Sequence, residues 1–424
     1  MEKIIDKNIV KFGFYGFFKN LRFFEPFLYL YFLAIGLSFF QIGLIISIRE
    51  LSMYIFEIPT GIIADIWGRK KAMLLCFVLY IISFIFYYLA HSFLILAIAS
   101  VIFGLGEAFR LGTHKAIIFD YLDWKGISSK KAEVYGFTRS VALYGSALSA
   151  VIAALLLIIT ENYHVIFLFS IIPYICAFIL LLTYPPEKRA SSDLEFNFSV
   201  IKKHTKDSLS NLFLIKKLRL FLINSAVFDA VFKGSRDYIQ PIIRSFIIAY
   251  PVLTIINNEQ HRETILISFL YLVISVLGAF SSRLSHKLNN IFSTPDTPLN
   301  YLFLAQAVLL LGTGLFIDVN LVVVFILFIL LNIGSNLRRP LLLSGLVDEI
   351  EEVQRATMLS IESQLKSLAL IIVAPVLGRL ADVFSIRFMF VIIAGFLFIL
   401  YLLALRFDHS TTANIEDENR SSNV

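Results

Sequence analysis

The sequence is short of charge. Asp, Glu, Lys and Arg make up 16% of its 424 residues, against roughly a quarter in an ordinary soluble domain. That shortfall excludes a water-soluble globular chain of this length. Cysteine is scarcer still. Cys76 and Cys176 are the only two, and each lies in an apolar run, so neither a disulfide framework nor a cysteine metal site is expected. The histidines are scattered without metal-ligand spacing, and there is no nucleophile elbow and no Gly-x-x-x-x-Gly-Lys phosphate loop. An enzyme, a bound cofactor and direct use of ATP are therefore not expected. No small-residue cleavage site follows the charged N-terminal stretch, so the first span is expected to direct insertion and remain.

What is present is apolar. Hydrophobic residues make up 58%, with 42 Phe, and they arrive in blocks of about twenty, enough for a helix to cross a ~30 Å hydrocarbon layer. The blocks are continuous and lack the roughly ten-residue alternation of an outer-membrane barrel. An all-α membrane protein with twelve transmembrane helices is expected. The spans fall near 23–40, 42–64, 72–90, 93–118, 133–159 and 163–184, then 219–244, 263–287, 299–317, 321–346, 356–381 and 387–406.

The net charge of +6 follows topology and does not call for nucleic acid. Lys and Arg crowd the N-terminal tail, the even-numbered loops and the C-terminal tail, while the opposite loops hold only Arg262 and Arg387. By the positive-inside bias both termini are cytoplasmic and the protein is a multi-pass resident of the plasma (inner) membrane. The expected partners are the lipid bilayer, a small solute and a coupling proton or ion, with the chain acting as a monomer.

Residues 185–218 separate two sets of six spans. This cytoplasmic linker opens with Pro185-Pro186, which end the sixth helix. Leu209, Leu212 and Phe213 share a face there, beside Lys202, Lys203, Lys206, Lys216 and Lys217, so a surface amphipathic helix and a plain linker both remain open. The organisation is an N-terminal bundle over 1–184, a C-terminal bundle over 219–406 and a polar tail over 407–424. The halves echo each other. "RLGTHKAIIFD" runs from Arg110 to Asp120 in the fourth span, and "RRPLLLSGLVD" runs from Arg338 to Asp348 in the tenth. Internal duplication of this kind is a transporter signature.

Between the second and third spans stands "EIPTGIIADIWGRKKAML". Gly61 permits close helix approach, and Gly68 permits a sharp reversal. Arg69, Lys70 and Lys71 hold the loop at the inner surface. Asp65 lies at a helix C-terminus, where an unpaired carboxylate is disfavoured, so it needs a neighbouring Arg or another helix's N-terminus. In Gly61, Ala64, Asp65, Gly68, Arg69 and Lys70 this loop resembles the signature loop of the major facilitator superfamily. Ile66 departs from the family pattern, and the second-half copy "GAFSSRLSHK" has Ser282 where the Asp would stand. The fifth span reads "LYGSALSAVI" and lacks the Gly-Pro motif of many drug–proton antiporters. The resemblance implies two pseudo-symmetric six-helix bundles, a cavity lined by helices one, four, seven and ten, and an Asp65 that engages the start of the eleventh helix near Arg355. It also implies a gate that includes Asp120 and Arg139.

An ionisable residue at mid-helix costs on the order of 2.5–3.5 kcal/mol on insertion scales, so each asks for a partner or for water. Glu50, Glu57, Glu107, Arg110, Asp229, Lys233, Arg236, Arg339, Glu362 and Lys366 are the candidates for substrate binding or coupling. Glu362 and Lys366, one turn apart, also read as a self-neutralising pair, and His114 reads as a packing residue. Across helices four, seven, ten and eleven, Arg110, Lys233, Arg236, Arg338, Arg339 and Lys366 outnumber Glu107, Asp229, Asp237 and Glu362. That excess suggests an organic anion as the solute. The function expected is secondary active transport by alternating access. A drug-efflux-like proton antiporter and a non-transporting membrane sensor or scaffold are the alternatives.

Overall fold

A computed structural model describes residues 6–185, 216–250, 253–291, 296–348 and 355–421. The described chain is helical throughout: α1 Lys7–Lys19, α2 Leu28–Ala34, α3 Phe39–Trp67, α4 Arg69–Leu89, α5 Phe93–Arg110, α6 Thr113–Trp124, α7 Lys131–Thr160 and α8 Tyr163–Leu182 form the first half. The second half comprises α9 Lys216–Ser235, α10 Ile239–Ala249, α11 Glu259–Ile291, α12 Asp296–Phe316, α13 Leu321–Asp348, α14 Arg355–Phe384 and α15 Ile386–Ser421. Among the described residues, ten stretches are long and apolar enough to cross a membrane, α5 and α6 counting as one. Two further stretches, α1–α2 and α9–α10, are interrupted and occupy the first and seventh positions. The expected amphipathic segment of the linker lies outside the described residues.

The first span departs from expectation. It begins at Lys7 rather than near residue 23 and ends at Ala34. Lys7, Lys11, Lys19 and Arg22 interrupt the apolar run and hide it from a hydropathy reading. The helix nevertheless buries Ile9, Phe12 and Tyr15. Asp6 caps its start, accepting from the amides of Asn8 (2.9 Å) and Ile9 (2.8 Å). Lys11 donates to the Thr183 carbonyl at 2.7 Å. Within the polar tail, α15 continues through residues 407–421 as helix.

Both breaks precede a proline. Pro26 cannot donate to the carbonyl of Arg22, nor Pro241 to that of Asp237, and each ring crowds the preceding turn. The chain answers with a short 3-10 turn at Glu25–Phe27 in the first half and at Arg236–Tyr238 in the second. The two interruptions fall in corresponding helices of the two halves.

Among the described residues, the halves meet closely at one end only. Call the end that carries Asp6 near, and the other far. At the far end α3 and α14 touch backbone to backbone. A Cβ added at Gly43 would lie 2.4 Å from the Ala374 carbonyl oxygen, and one at Gly378 would lie 2.1 Å from that of Phe39. Asp382 accepts from the amides of Phe39 (2.9 Å) and Phe40 (2.8 Å) at the start of α3. The hydroxyl of Ser47 donates to the Ile371 carbonyl at 2.7 Å. Between α7–α8 and α11, Asn258 donates to Glu161 (2.7 Å), His261 lies 3.0 Å from Glu161, and Tyr163 donates to Glu263 (3.0 Å). Near-end residues of α3 have no such neighbours among the described residues: nothing there lies within 4 Å of a Cβ built on Gly61, and Ile58, Ile66 and Trp67 are exposed. Among the described residues, every hydrogen bond between the halves is at the far end or mid-height.

Candidate functional site

The two broken helices place their polar residues against a cavity between the halves. Its volume is about 160 Å³, and its lining includes Asn20, Arg22, Glu25, Ser149, Arg236, Asp237 and Tyr271. A helix interrupted at mid-height exposes backbone groups and side chains that an intact helix would turn to its neighbours, which is why such breaks mark binding sites in membrane proteins.

The charges form an alternating row. Arg22 lies 3.9 Å from Glu25, Glu25 accepts from Arg236 at 2.8 Å, and Arg236 lies 3.4 Å from Asp237. Tyr271 donates its hydroxyl to Asp237 at 2.7 Å and receives the side-chain amide of Gln240 at 2.9 Å. Gln240 also accepts from the Tyr29 amide at 2.9 Å, tying the second break to the first half. Two cavity residues keep buried atoms without a hydrogen-bond partner: the Nε of Arg22 and the hydroxyl of Ser149.

Behind this row, Glu107 is surrounded by three cations. Lys19 reaches it at 3.0 Å, Arg22 at 3.3 Å and Arg110 at 2.5 Å. The carboxylate thus holds the charged ends of α1 and α5 together in a buried cluster. A second cluster lies in the other half. Lys366 pairs with Asp229 at 3.2 Å and with Glu362, whose carboxylate also accepts from Ser225 at 2.8 Å.

The candidate residues thus separate into groups. Arg236 lines the cavity. Glu107 and Arg110 brace it through Arg22, and Asp229, Glu362 and Lys366 assemble with one another. Glu50 is buried against Arg49 at 3.4 Å. Glu57 is half-buried and makes no ion pair among the described residues. Lys233 and Arg339 are exposed and absent from the cavity lining. Arg338 is buried, with its guanidinium 4.1 Å over the Phe228 ring and hydrogen bonds to Asn224 and to the Leu299 carbonyl. The cation excess counted along these helices therefore resides in residues that do not line the cavity, whose charged walls are two arginines and two carboxylates. The sequence puts Lys19 and Arg22 in the tail and singles out no role for Glu25, at the start of the expected first span. Pro26 and Pro241, each following a charged segment, were the available signal.

The signature loop lies at the near end. Gly68 adopts φ 99° and reverses the chain between α3 and α4. Arg69 binds Asp65 at 3.4 Å and also pairs with Asp120 at the end of α6. Lys70 donates to the carbonyls of Leu182 and Tyr184, both at 2.9 Å. Asp65 thus finds its partner in the neighbouring Arg69, while the side chain of Arg355 lies outside what is described. Arg139 is exposed and makes no ion pair among the described residues. Nearby, Asp6 joins Lys125 and the Tyr121 hydroxyl. Burial raises its pKa, but these hydrogen bonds and the Ile9 amide outweigh burial and hold it below the ordinary aspartate value.

The sequence family described as the Major Facilitator Superfamily matches residues 12–295. A Bacillus subtilis (strain 168) protein described as an uncharacterized MFS-type transporter, YxaM, is 22% identical over 394 residues, 90% of each chain. The solved nucleoside transporter NupG superposes with a TM-score of 0.75 at 15% identity, covering 95% of this chain and 99% of its own. A D-xylose-proton symporter gives a TM-score of 0.63 at 14% identity, covering 92% and 95%.

Proposed function

The chain belongs to the major facilitator superfamily, and from that premise we propose that it is a secondary transporter moving a small polar solute by alternating access through the cavity between its halves. The observation that carries this reading is the pair of corresponding helix breaks. They aim charge at one cavity, while the described residues of the two halves close on each other at the far end. Lys and Arg place the near end in the cytoplasm, so this conformation is open inward. Rocking the halves would part the contacts of Gly43 and Gly378 and bring α3 toward α14 at the near end.

Asp65, Arg69 and Asp120 gate that motion. They join the ends of α3 and α6 to the start of α4, so the loop moves as one piece with the first half. The coupling ion is a proton, as in the symporter named above, and Glu57 carries it. Of Glu50, Glu57, Glu107, Asp229 and Glu362, it alone has no cationic partner among the described residues, so neutralising it breaks no ion pair. A hydrophobic-cation exporter fits less well, because every carboxylate at the cavity already has an arginine.

The test is a reversible lock. Ser47→Cys with Ile371→Cys, in a background lacking Cys76 and Cys176, places two thiols where α3 and α14 touch. Oxidation should stop solute flux in proteoliposomes and reduction should restore it. Flux that continues through the cross-linked protein would rule out alternating access around this contact.

A further inference from the structure

The cavity has no net charge among its charged walls, yet it is not electrically featureless. Arg22, Glu25, Arg236 and Asp237 alternate in sign along it, beginning on a guanidinium of the first half and ending on a carboxylate of the second. At the guanidinium end two groups find no partner among the described residues, the Nε of Arg22 and the hydroxyl of Ser149. Both can donate, and both suit a carboxylate. At the other end Asp237 holds Arg236 only at 3.4 Å and accepts from one hydroxyl. It retains acceptor capacity for an ammonium group.

The link between the halves decides the class. Glu25 to Arg236 is the ion pair in the cavity that crosses from one half to the other. Outward opening must stretch or break it, leaving Glu25 with Arg22 at 3.9 Å and Arg236 with Asp237 at 3.4 Å, each a longer and weaker pair in a poorly solvated place, which is costly. A simple anion would relieve Arg236 and leave Glu25 exposed to that penalty. A cation would do the reverse, and an uncharged solute would relieve neither. A solute with one charge of each sign relieves both.

The space sets the size. About 160 Å³ is close to the cavity volume known to accept a single benzene ring, so the solute has roughly six to ten non-hydrogen atoms. We propose that the solute is a zwitterion of amino-acid size, its carboxylate received by Arg236 together with Arg22 and Ser149, and its ammonium by Glu25 together with Asp237. This rests on the transport reading above and names the chemistry of that same site.

The experiment is thermal unfolding of the full-length protein in detergent with L-alanine, L-serine, L-proline and L-leucine as probes, since a ligand of the folded state raises apparent stability. For the most effective probe, the amine-free acid and the methyl ester of the same skeleton are measured beside it. The amino acid should act at a concentration at least about tenfold lower than either analogue, because each analogue leaves one buried charge unpaired. In Asp237→Asn the advantage over the amine-free acid should vanish while the advantage over the ester persists. Arg22→Gln should do the opposite. The comparison of analogues on the unaltered protein stands even if a variant fails to fold. Equal action of either analogue overturns the proposal. So does stabilisation by uridine, xylose, benzoate or choline without any by the amino acids, and in that case the transport reading survives. If no compound of any class stabilises the protein or crosses with it, both readings fall.

Discussion

Replacing Gly378 by valine should drive the halves apart at the far end. A Cβ there would sit 2.1 Å from the Phe39 carbonyl oxygen and 2.5 Å from its carbon, where ordinary contact begins at 3.4 Å. The obstacle is backbone, not the end of a flexible side chain, so α14 and α3 must separate by more than about 1 Å. Overpacking of this kind costs about 1–3 kcal/mol. The penalty falls on the conformation in which the contact exists, and spares a state in which these helices have parted. The equilibrium should therefore move about 5- to 150-fold toward the form with the far end open. Spin labels at Ile159 and Ile255, both exposed beside the far-end contacts, report the outcome as a distance distribution. The wild type should show one short distance, and Gly378→Val should add a longer population as the major species. A folded variant with an unchanged distribution would refute the reasoning, because the α3–α14 contact would then not determine which end is open.

Other substitutions separate gating, bracing and coupling. Asp65→Asn should leave thermal stability nearly unchanged, since an exposed ion pair is worth about 0–1 kcal/mol, yet lower the transport rate severalfold; an unaffected rate would remove the loop from the gate. Glu107→Gln leaves Lys19, Arg22 and Arg110 without their shared anion. It should destabilise the fold by about 3–5 kcal/mol, read as a lower unfolding temperature, and an unchanged temperature would contradict the bracing role. Glu57→Gln should keep solute exchange but abolish accumulation driven by a pH gradient, and retained accumulation would exclude Glu57 as the proton carrier. The lowered Asp6 value makes its contribution complete above an unfolded value of about 3.9 and lost as pH falls through the folded one. Asp6→Asn should therefore cost stability at neutral pH and progressively less as pH falls below the unfolded value, as measured by unfolding across that range; a loss independent of pH would assign the effect to packing.

Most of the topology was legible because the length of an apolar run is a local property. Ten spans are visible in that way, and Gly68, Asp65 and Arg69 sit in the loop where their spacing placed them. The first span was misread because its lysines disrupt hydropathy, although Lys19 lies buried against Glu107. That pairing spans 88 positions, and no periodicity encodes it. The charge balance failed for the same reason. Counting along helices treats Lys233, Arg338 and Arg339 as equals of Arg236, whereas helix rotation and packing keep those three out of the cavity lining. Glu25 and Arg236 meet across 211 positions. Only the matched prolines at 26 and 241 hinted that the two helices break toward each other.

The central claim is that solute crosses the membrane through the cavity between the halves, and the most direct measurement is an inventory of what enters proteoliposomes. Vesicles holding the wild type, and vesicles holding Arg236→Gln, are incubated with a mixture of small polar metabolites, and their contents are read by mass spectrometry. The account predicts at least one low-mass solute that accumulates with the wild type and is lost with Arg236→Gln, while both proteins remain folded and inserted. Identical contents in the two sets of vesicles would contradict it.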